Sequence, residues 1–338
     1  MIIVRPAHLD DTTAVLELAS QAGPGFTTLA LGESELLGRV ENSVASFATR
    51  VQSPGSEMYY LLVEDTVSGC VIGIAGISAR VGVEVPFFSY RRTTLAQCSS
   101  AVGRRFDMDA LYPVNEAAGA TEVGTLFVVP EARGTGSGRL VAKSRYLLMA
   151  VAPERFGDRV IAELRGVVDE KGRSPFWEAL GRPFFRMDFE EADRISATSN
   201  QFISDLLPTH AIYLDLLPES ARAVVGVAHP EGQPARRLLE AEGFRYRGLV
   251  DVFDAGPILT TKKSRIDTYR GSRSAAVCVG EPTGAAPTTA FVATERLPDF
   301  RVCCCTVAWV GEQAHIGDEP ARALGLNTGD RARIWTAP

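Results

Sequence analysis

The sequence has no Cys-x-x-Cys pair, only four histidines among 338 residues, no block of lysines or arginines, and no apolar run long enough to cross a bilayer. Each absence removes a class of protein. Without paired cysteines at ligand spacing, no metal site is expected. Cys70, Cys98 and Cys278 are scattered, while Cys303, Cys304 and Cys305 are consecutive and would alternate in direction along a strand; all six read as reduced structural thiols. A net charge of −6 with no basic block to offset it argues against a nucleic-acid partner. The start, Met1-Ile-Ile-Val-Arg-Pro, passes from a strand-like run into charges with no signal-peptide core, so a cytoplasmic protein with no membrane partner is expected.

What is present is 46% apolar and 22% charged, the balance of a globular enzyme, in a chain long enough for two or three folding units. The most informative stretch is Glu122 to Ala152, which reads as a strand, a glycine loop and a helix. Thr121-Glu-Val-Gly-Thr-Leu-Phe-Val-Val-Pro130 is a short strand-type run closed by proline, and Glu131-Ala-Arg-Gly-Thr-Gly-Ser-Gly138 follows it. Leu140, Val141, Ser144, Leu147, Leu148 and Val151 then recur at helical spacing. Glycines 134, 136 and 138 let backbone N–H groups approach a phosphate that faces the positive end of the helix. The loop lacks the Lys-Ser/Thr ending of a P-loop, and neither its glycine spacing nor a following parallel βαβ unit supports a dinucleotide site. Arg133-x-x-Gly136-x-Gly138 resembles the acyl-CoA pyrophosphate loop of the GNAT acyltransferases. Arg133, Gly134, Gly136 and Gly138 are therefore the candidate acyl-CoA contacts, together with backbone groups of Leu126 and Phe127 on the strand that enters the loop.

Around this stretch the pattern predicts a strand over Ile2–Arg5, a helix carrying Val15, Leu18 and Ala19 capped by Asp10 or Asp11, a turn over 23–28, and a helix with Leu36, Leu37, Val40, Val44 and Phe47. A hairpin follows over Met58–Glu64 and Cys70–Ser78. Residues 80 to 120 show no clear period. After the loop helix, strands are expected over Arg159–Leu164, Phe185–Phe189, Ala223–Val227 and Tyr246–Phe253, with helices opening at Pro175 and at Gln233. Strand, two helices, hairpin, strand, glycine loop, helix, strand, helix, strand is the GNAT order. Pro175 to Phe185 and Pro234 to Phe244 share a pattern: a proline-started short helix, then glycine, then aromatics. The expected fold is α+β: a GNAT-type mixed sheet in tandem, with the second half incomplete, and a small C-terminal β-barrel. The expected domains are 1–190, 191–260 and 261–338, the last opening with a polar linker over Thr261–Ser274.

Several separated stretches together resemble the arginine N-succinyltransferase family. They are Gly124-Thr-Leu-Phe127 with the loop after it, Lys143-Ser-Arg145, Ala162-Glu-Leu-Arg-Gly-Val-Val-Asp169, Ser174-Pro-Phe-Trp177, Met187-Asp-Phe189, His229-Pro-x-x-x-Pro-Ala-Arg236, Glu242-Gly-Phe-Arg-Tyr246 and Asp251-Val-Phe-Asp-Ala-Gly-Pro257. They run in the family's order over nearly the whole chain. The resemblance implies transfer of succinyl from succinyl-CoA to L-arginine, with succinyl-CoA as cosubstrate and no permanently bound cofactor. The chain departs from the family's pattern near Gln97 and Glu116. Those departures keep open another acyl donor such as acetyl-CoA, or another amine such as ornithine. A non-catalytic acyl-CoA-binding subunit or sensor is the alternative of a different class.

Acyl transfer to an amine needs a neutral nucleophile, donors for the developing oxyanion and a proton for the leaving thiolate. His229, in the turn Ala228-His-Pro230 before a helix start, can carry that proton because imidazole titrates near neutral pH. The residues alone do not separate it from His8, His210 and His315, but the resemblance assigns the proton donor to it. An arginine fork suits a succinyl carboxylate, and Arg165 lies in a matched stretch. Carboxylates suit a guanidinium, and Glu163, Asp169 and Asp251 lie in matched stretches too. Ser144 falls within the helix stripe and reads as core packing. A homo-oligomer, or an oligomer with a paralogue, is expected.

Overall fold

The computed structural model describes residues 1–22, 29, 31–196, 201–281 and 286–336. The turn expected over 23–28 lies outside them. In chain order come β1 (Ile2–Pro6), α1 (Thr12–Ala22), α2 (Glu33–Ala48), β2 (Met58–Asp65) and β3 (Val71–Ser78). A hairpin of β4 (Ser89–Ser99) and β5 (Arg104–Val114) follows, then β6 (Thr121–Val128), α3 (Ser137–Val151), β7 (Arg159–Glu163), β8 (Ile212–Tyr213), β9 (Arg245–Val250) and β10 (Pro257–Lys262). The last strands are β11 (Arg273–Val279), β12 (Thr288–Thr294), β13 (Val302–Val310), β14 (Gln313–Ile316) and β15 (Arg331–Thr336).

These elements form two compact units, each discontinuous in sequence. The first is Met1–Ala79, Thr121–Asp158 and Lys262–Pro338; the second is Arg80–Ala120 and Arg159–Thr261. The consecutive blocks 1–190, 191–260 and 261–338 cut across both. The physical reason lies in long-range pairing: Tyr90 and Arg91 of β4 pair with Val250 and Leu249 of β9, and that carries the unreadable 80–120 stretch into the second unit.

In the first unit the strand order is β12-β15-β11-β14-β13-β1-β2-β3-β6, and β12 also pairs with β13, which closes β11 to β15 into a five-stranded barrel. Only β11 and β14 pair in parallel within the barrel, so the sheet is mixed. Strand alternation puts Cys303 and Cys305 inside the barrel and Cys304 outside, and all six cysteines are free thiols. α1 and α2 lay Val15, Leu18, Leu36 and Val40 on Tyr60, Leu62, Ile74 and Phe127 of the sheet. Asp11 caps the 3-10 turn Leu9–Asp11 that runs into α1: its carboxylate takes the His8 N–H at 2.7 Å as one half of a capping box, and it also holds the Arg5 guanidinium at 2.7 and 2.9 Å.

α3 has no solvent face from Leu140 to Met149. Its buried Lys143 ammonium lies 3.5 Å from the centre of the Trp335 ring and donates to Thr268 Oγ1 at 2.8 Å, which fastens the barrel to the helix. Ser144 is buried and bonds back to the Leu140 carbonyl at 2.8 Å, as a core residue does. The segment expected as a linker is packed: Lys263 donates to the Pro153 and Phe156 carbonyls at 2.6 Å, and Asp267–Gly271 is a helical turn with Thr268 buried. Polar composition suggested a linker there, but these polar groups are committed to buried partners.

The second unit has the order β7-β10-β9-β4-β5-β8. Its core centres on Trp177, which stacks on Phe253 at 5.5 Å and meets Phe185 at 5.1 Å. Two expected strands are absent. Phe185–Phe189 turns at Arg186, whose φ is 56°, and enters a helix at Phe189, because Phe185 and Phe189 both pack on Trp177. Ala223–Val227 is a turn in which Gly226 takes φ 78°, and only Ala228 bridges to a strand-like neighbour, Gly166. The likeness between Pro175–Phe185 and Pro234–Phe244 therefore stops at the helix, since only the second leads into a strand, β9.

Candidate active site

In the first unit the site is built on a distortion of β6. Against β3, Ile74 pairs with Phe127 and Gly76 with Gly124, so Thr125 and Leu126 together stand opposite Ala75, with Thr125 at φ 51°. This two-against-one bulge bends the strand as it enters the loop. Two glycines of β3 admit it: a Cβ on Gly76 would lie 2.9 Å from Thr125 Oγ1, and one on Gly73 would lie 2.8 Å from the Phe127 carbonyl. Phe127 itself is a core side chain, 3% exposed. Its ring carries the Arg133 guanidinium at 5.8 Å, and Arg133 Nε donates to the Val128 carbonyl at 3.2 Å.

Pro130–Ala132 forms a single 3-10 turn, after which Gly134 takes φ 80° and Gly136 takes φ 96°. Side chains rarely adopt these values, so the two glycines are there for the backbone path. Thr135 Oγ1 donates to the Ala132 carbonyl at 2.7 Å and meets Ser137 Oγ at 2.9 Å, bracing the loop from within. Gly136 caps α3 without a side-chain hydrogen bond, and a Cβ built on Gly134, Gly136 or Gly138 would meet nothing within 4 Å. The result is an open face beside the uncapped, positive end of a 15-residue helix, which suits an anion.

In the second unit the focus is the loop between β9 and β10. It is closed by the Asp251 N–H donating to the Gly256 carbonyl at 2.9 Å, with Val250 paired to Pro257. Asp251 Oδ1 accepts the N–H groups of Phe253 at 2.7 Å and Asp254 at 3.0 Å. Asp254 is 8% exposed, and its carboxyl takes the Gly256 N–H at 2.7 Å and, across the unit, the Gly166 N–H at 2.6 Å. The Arg165 carbonyl accepts the His229 N–H at 2.8 Å. His229 Nδ1 accepts the Glu231 N–H at 3.3 Å, so the neutral ring carries its proton on Nε2; its side chain is 19% exposed.

Burial crowds several acids here. It raises Asp251, and burial together with the Asp251 charge pushes Asp254 up to about 8 and Asp193 up to about 7, with the Arg165 charge opposing the rise at Asp193. Burial and the same Asp251 charge raise the Tyr90 phenol. A cluster of this kind is a frequent mark of function. Asp169 stands apart. Its carboxylate accepts the backbone N–H groups of Arg173 and Lys171 at 2.9 Å and the Arg173 guanidinium at 2.8 and 2.9 Å, and these bonds hold it below the usual carboxylate range. Glu163 is exposed at the end of β7.

Over residues 2–268 the chain matches the family described as arginine N-succinyltransferase beta subunit, and over 273–336 it matches the C-terminal domain of that subunit. It belongs to the arginine N-succinyltransferase family. Proteins named arginine N-succinyltransferase from Escherichia coli (strain 55989 / EAEC) and Shigella flexneri are each 38% identical over 336 residues, covering 99% of this chain and 97% of theirs. The solved structure of arginine/ornithine succinyltransferase subunit AI from Pseudomonas aeruginosa superposes with a TM-score of 0.89 at 32% identity, covering 99% of this chain and 98% of that one.

Set against the family's stretches, the structure brings the expected loop residues together around one helix end, and Arg165, His229 and Asp251 around one loop of the second unit. Asp169 lies outside that group of hydrogen bonds, its carboxylate being taken by the 169–173 turn. Two residues of the acid cluster were missed. Asp254 sits in the matched Asp251-Val-Phe-Asp-Ala-Gly-Pro257 stretch, where a second carboxylate in an apolar loop was a readable signal. Asp193 offered none, since Glu190-Glu-Ala-Asp193 reads as an ordinary solvated helix face.

Proposed function

We propose that this protein is an arginine N-succinyltransferase that holds succinyl-CoA by the α3 loop and transfers its acyl group directly to the α-amine of L-arginine. The observation that carries the reading is the bulge at Thr125–Leu126 leading straight into an open, left-handed glycine loop at the end of α3. The helix N-terminus and the N–H groups of Gly134, Gly136 and Gly138 meet the pyrophosphate, with Arg133 beside them. The Leu126 backbone, displaced from regular pairing, polarises the thioester carbonyl; a donor of this kind supplies about 3 kcal/mol in comparable sites. Phe127 contributes packing under Arg133. This arrangement supports an acyltransferase site of the GNAT type.

The neutral amine attacks the thioester carbon, the tetrahedral oxyanion collapses and the C–S bond breaks. His229 works through Nε2, because Nδ1 accepts the Glu231 N–H: it passes a proton to the thiolate and takes up the one that the attacking nitrogen sheds as it becomes the amide, so the ring ends as it began. Arg165 pairs with the succinyl carboxylate. Asp251, joined by Asp193, receives the guanidinium, and their raised proton affinity eases when that cation arrives. We leave Asp169 out of the substrate set because its own loop uses its carboxylate, and Glu163 is at most a peripheral attraction for the cationic acceptor. The reading includes a place in cytoplasmic arginine catabolism and assembly as a subunit of an oligomer, which the words "beta subunit" and "subunit AI" in its relatives' descriptions support. Among the described residues no helix is long and apolar enough to cross a membrane.

Release of CoA thiol, with succinyl-CoA or acetyl-CoA crossed against arginine, ornithine and lysine, tests the proposal. Turnover is expected with succinyl-CoA and arginine, falling about 100-fold or more in His229→Ala. Preference for acetyl-CoA, or release with no amine, would overturn it. Isolation of a succinyl-enzyme would overturn direct attack.

A further inference from the structure

We infer that Asp254 is a positioning residue for His229, acting through the peptide it pins rather than by touching substrate. This rests on the reading of His229 as proton donor. The Asp254 carboxyl cannot serve as a ligand, because it is buried and its oxygens already accept Gly166 N–H at 2.6 Å and Gly256 N–H at 2.7 Å. What it holds is the Arg165–Gly166 segment. That segment faces the histidine turn on its other side, where Gly166 bridges Ala228 and the Arg165 carbonyl accepts the His229 N–H at 2.8 Å.

The same loop reaches the histidine turn a second time. Ala255 takes φ 56°, costly for a residue with a Cβ, and its carbonyl accepts the Gly226 N–H at 2.9 Å. Ties at Gly226 and His229 thus bracket the two residues between them. No slack is left at the pin: a Cβ on Gly166 would fall 2.4 Å from the Asp254 carbonyl, and one on Gly256 would fall 2.1 Å from the Leu164 carbonyl. An imidazole whose backbone is fixed this way presents Nε2 in one place, and displacement of a catalytic group by about 1 Å costs about 100-fold in rate. Asp251 Oδ1 accepts the Asp254 N–H at 3.0 Å, so the pin is continuous with the acid cluster.

Asp254→Asn tests this, because the isosteric amide keeps one acceptor and loses the other. The expected result is a kcat lowered about 30-fold with KM for both substrates within about threefold of wild type, and less than about twofold further loss when the change is added to His229→Ala. Wild-type turnover in His229→Ala would overturn the proton-donor reading and this one with it. A strong loss in His229→Ala beside wild-type kcat in Asp254→Asn would overturn the positioning role alone. So would a loss that multiplies in the double variant, or one that appears equally in KM. If Asp254→Asn does not fold, native-state hydrogen exchange on the wild-type protein decides: the Gly166, Gly226 and His229 amides are expected to open together. Exchange at His229 about 100-fold faster than at Gly166 would refute the pin.

Discussion

Replacing Asp193 by Asn should stabilise the protein in a pH-dependent way. Asp193 lies on the helix Phe189–Ser196, and burial together with the Asp251 charge raises its carboxyl from 3.8 to about 7, against the pull of Arg165. The folded protein therefore keeps a proton that the unfolded chain releases above about pH 4. Stability tied to this group is complete below that pH and is lost as pH climbs toward 7. The full shift corresponds to about 4 kcal/mol, and screening of a half-buried group reduces the expectation to about 2 kcal/mol. Asn cannot ionise. The variant should match wild type at pH 4 and exceed it by about 2 kcal/mol at pH 8, a urea midpoint roughly 0.7 M higher for a slope near 3 kcal/mol per molar. Urea unfolding followed by circular dichroism at pH 4, 6 and 8 measures this directly. An equal difference between the two proteins at every pH would mean that Asp193 is not held protonated by burial, and the reasoning about the acid cluster would fail.

Three other substitutions probe separate parts of the structure. Gly136→Ala forces a side chain into φ 96° at a cost of about 1–2 kcal/mol, so KM for succinyl-CoA should rise about tenfold with kcat little changed; an unchanged KM would remove the loop from donor binding. Gly256→Ala drives a Cβ to 2.1 Å from the Leu164 carbonyl and should cost about 3 kcal/mol in thermal or urea unfolding, whereas wild-type stability would show that the loop can relax there. Asp169→Asn should leave kinetics within about twofold, because the lost bonds belong to the 169–173 turn, and a selective rise in KM for arginine would return Asp169 to the substrate set.

The sequence by itself determined the elements whose signals are local. The glycine loop and α3 were legible because left-handed turns need glycine and because a helix buries residues at a fixed period. β1, the β2–β3 hairpin and the barrel strands β11, β12, β13 and β15 were legible from apolar runs bounded by turn residues. His229, Arg165 and Asp251 could be named only through the matched stretches, since a lone histidine or carboxylate has no local pattern. Tertiary structure decided the rest. The bulge at Thr125–Leu126 depends on Gly73 and Gly76 in a strand fifty residues earlier, and the exposed β4–β5 hairpin takes its place by pairing with β9, about 150 residues later. Phe185–Phe189 looked like a strand because aromatics favour strands, yet Trp177 draws both rings into a helical turn. The raised acids Asp193 and Asp254 are set by burial and by the charge of Asp251. Those are properties of where the chain folds back on itself, which no spacing along it records.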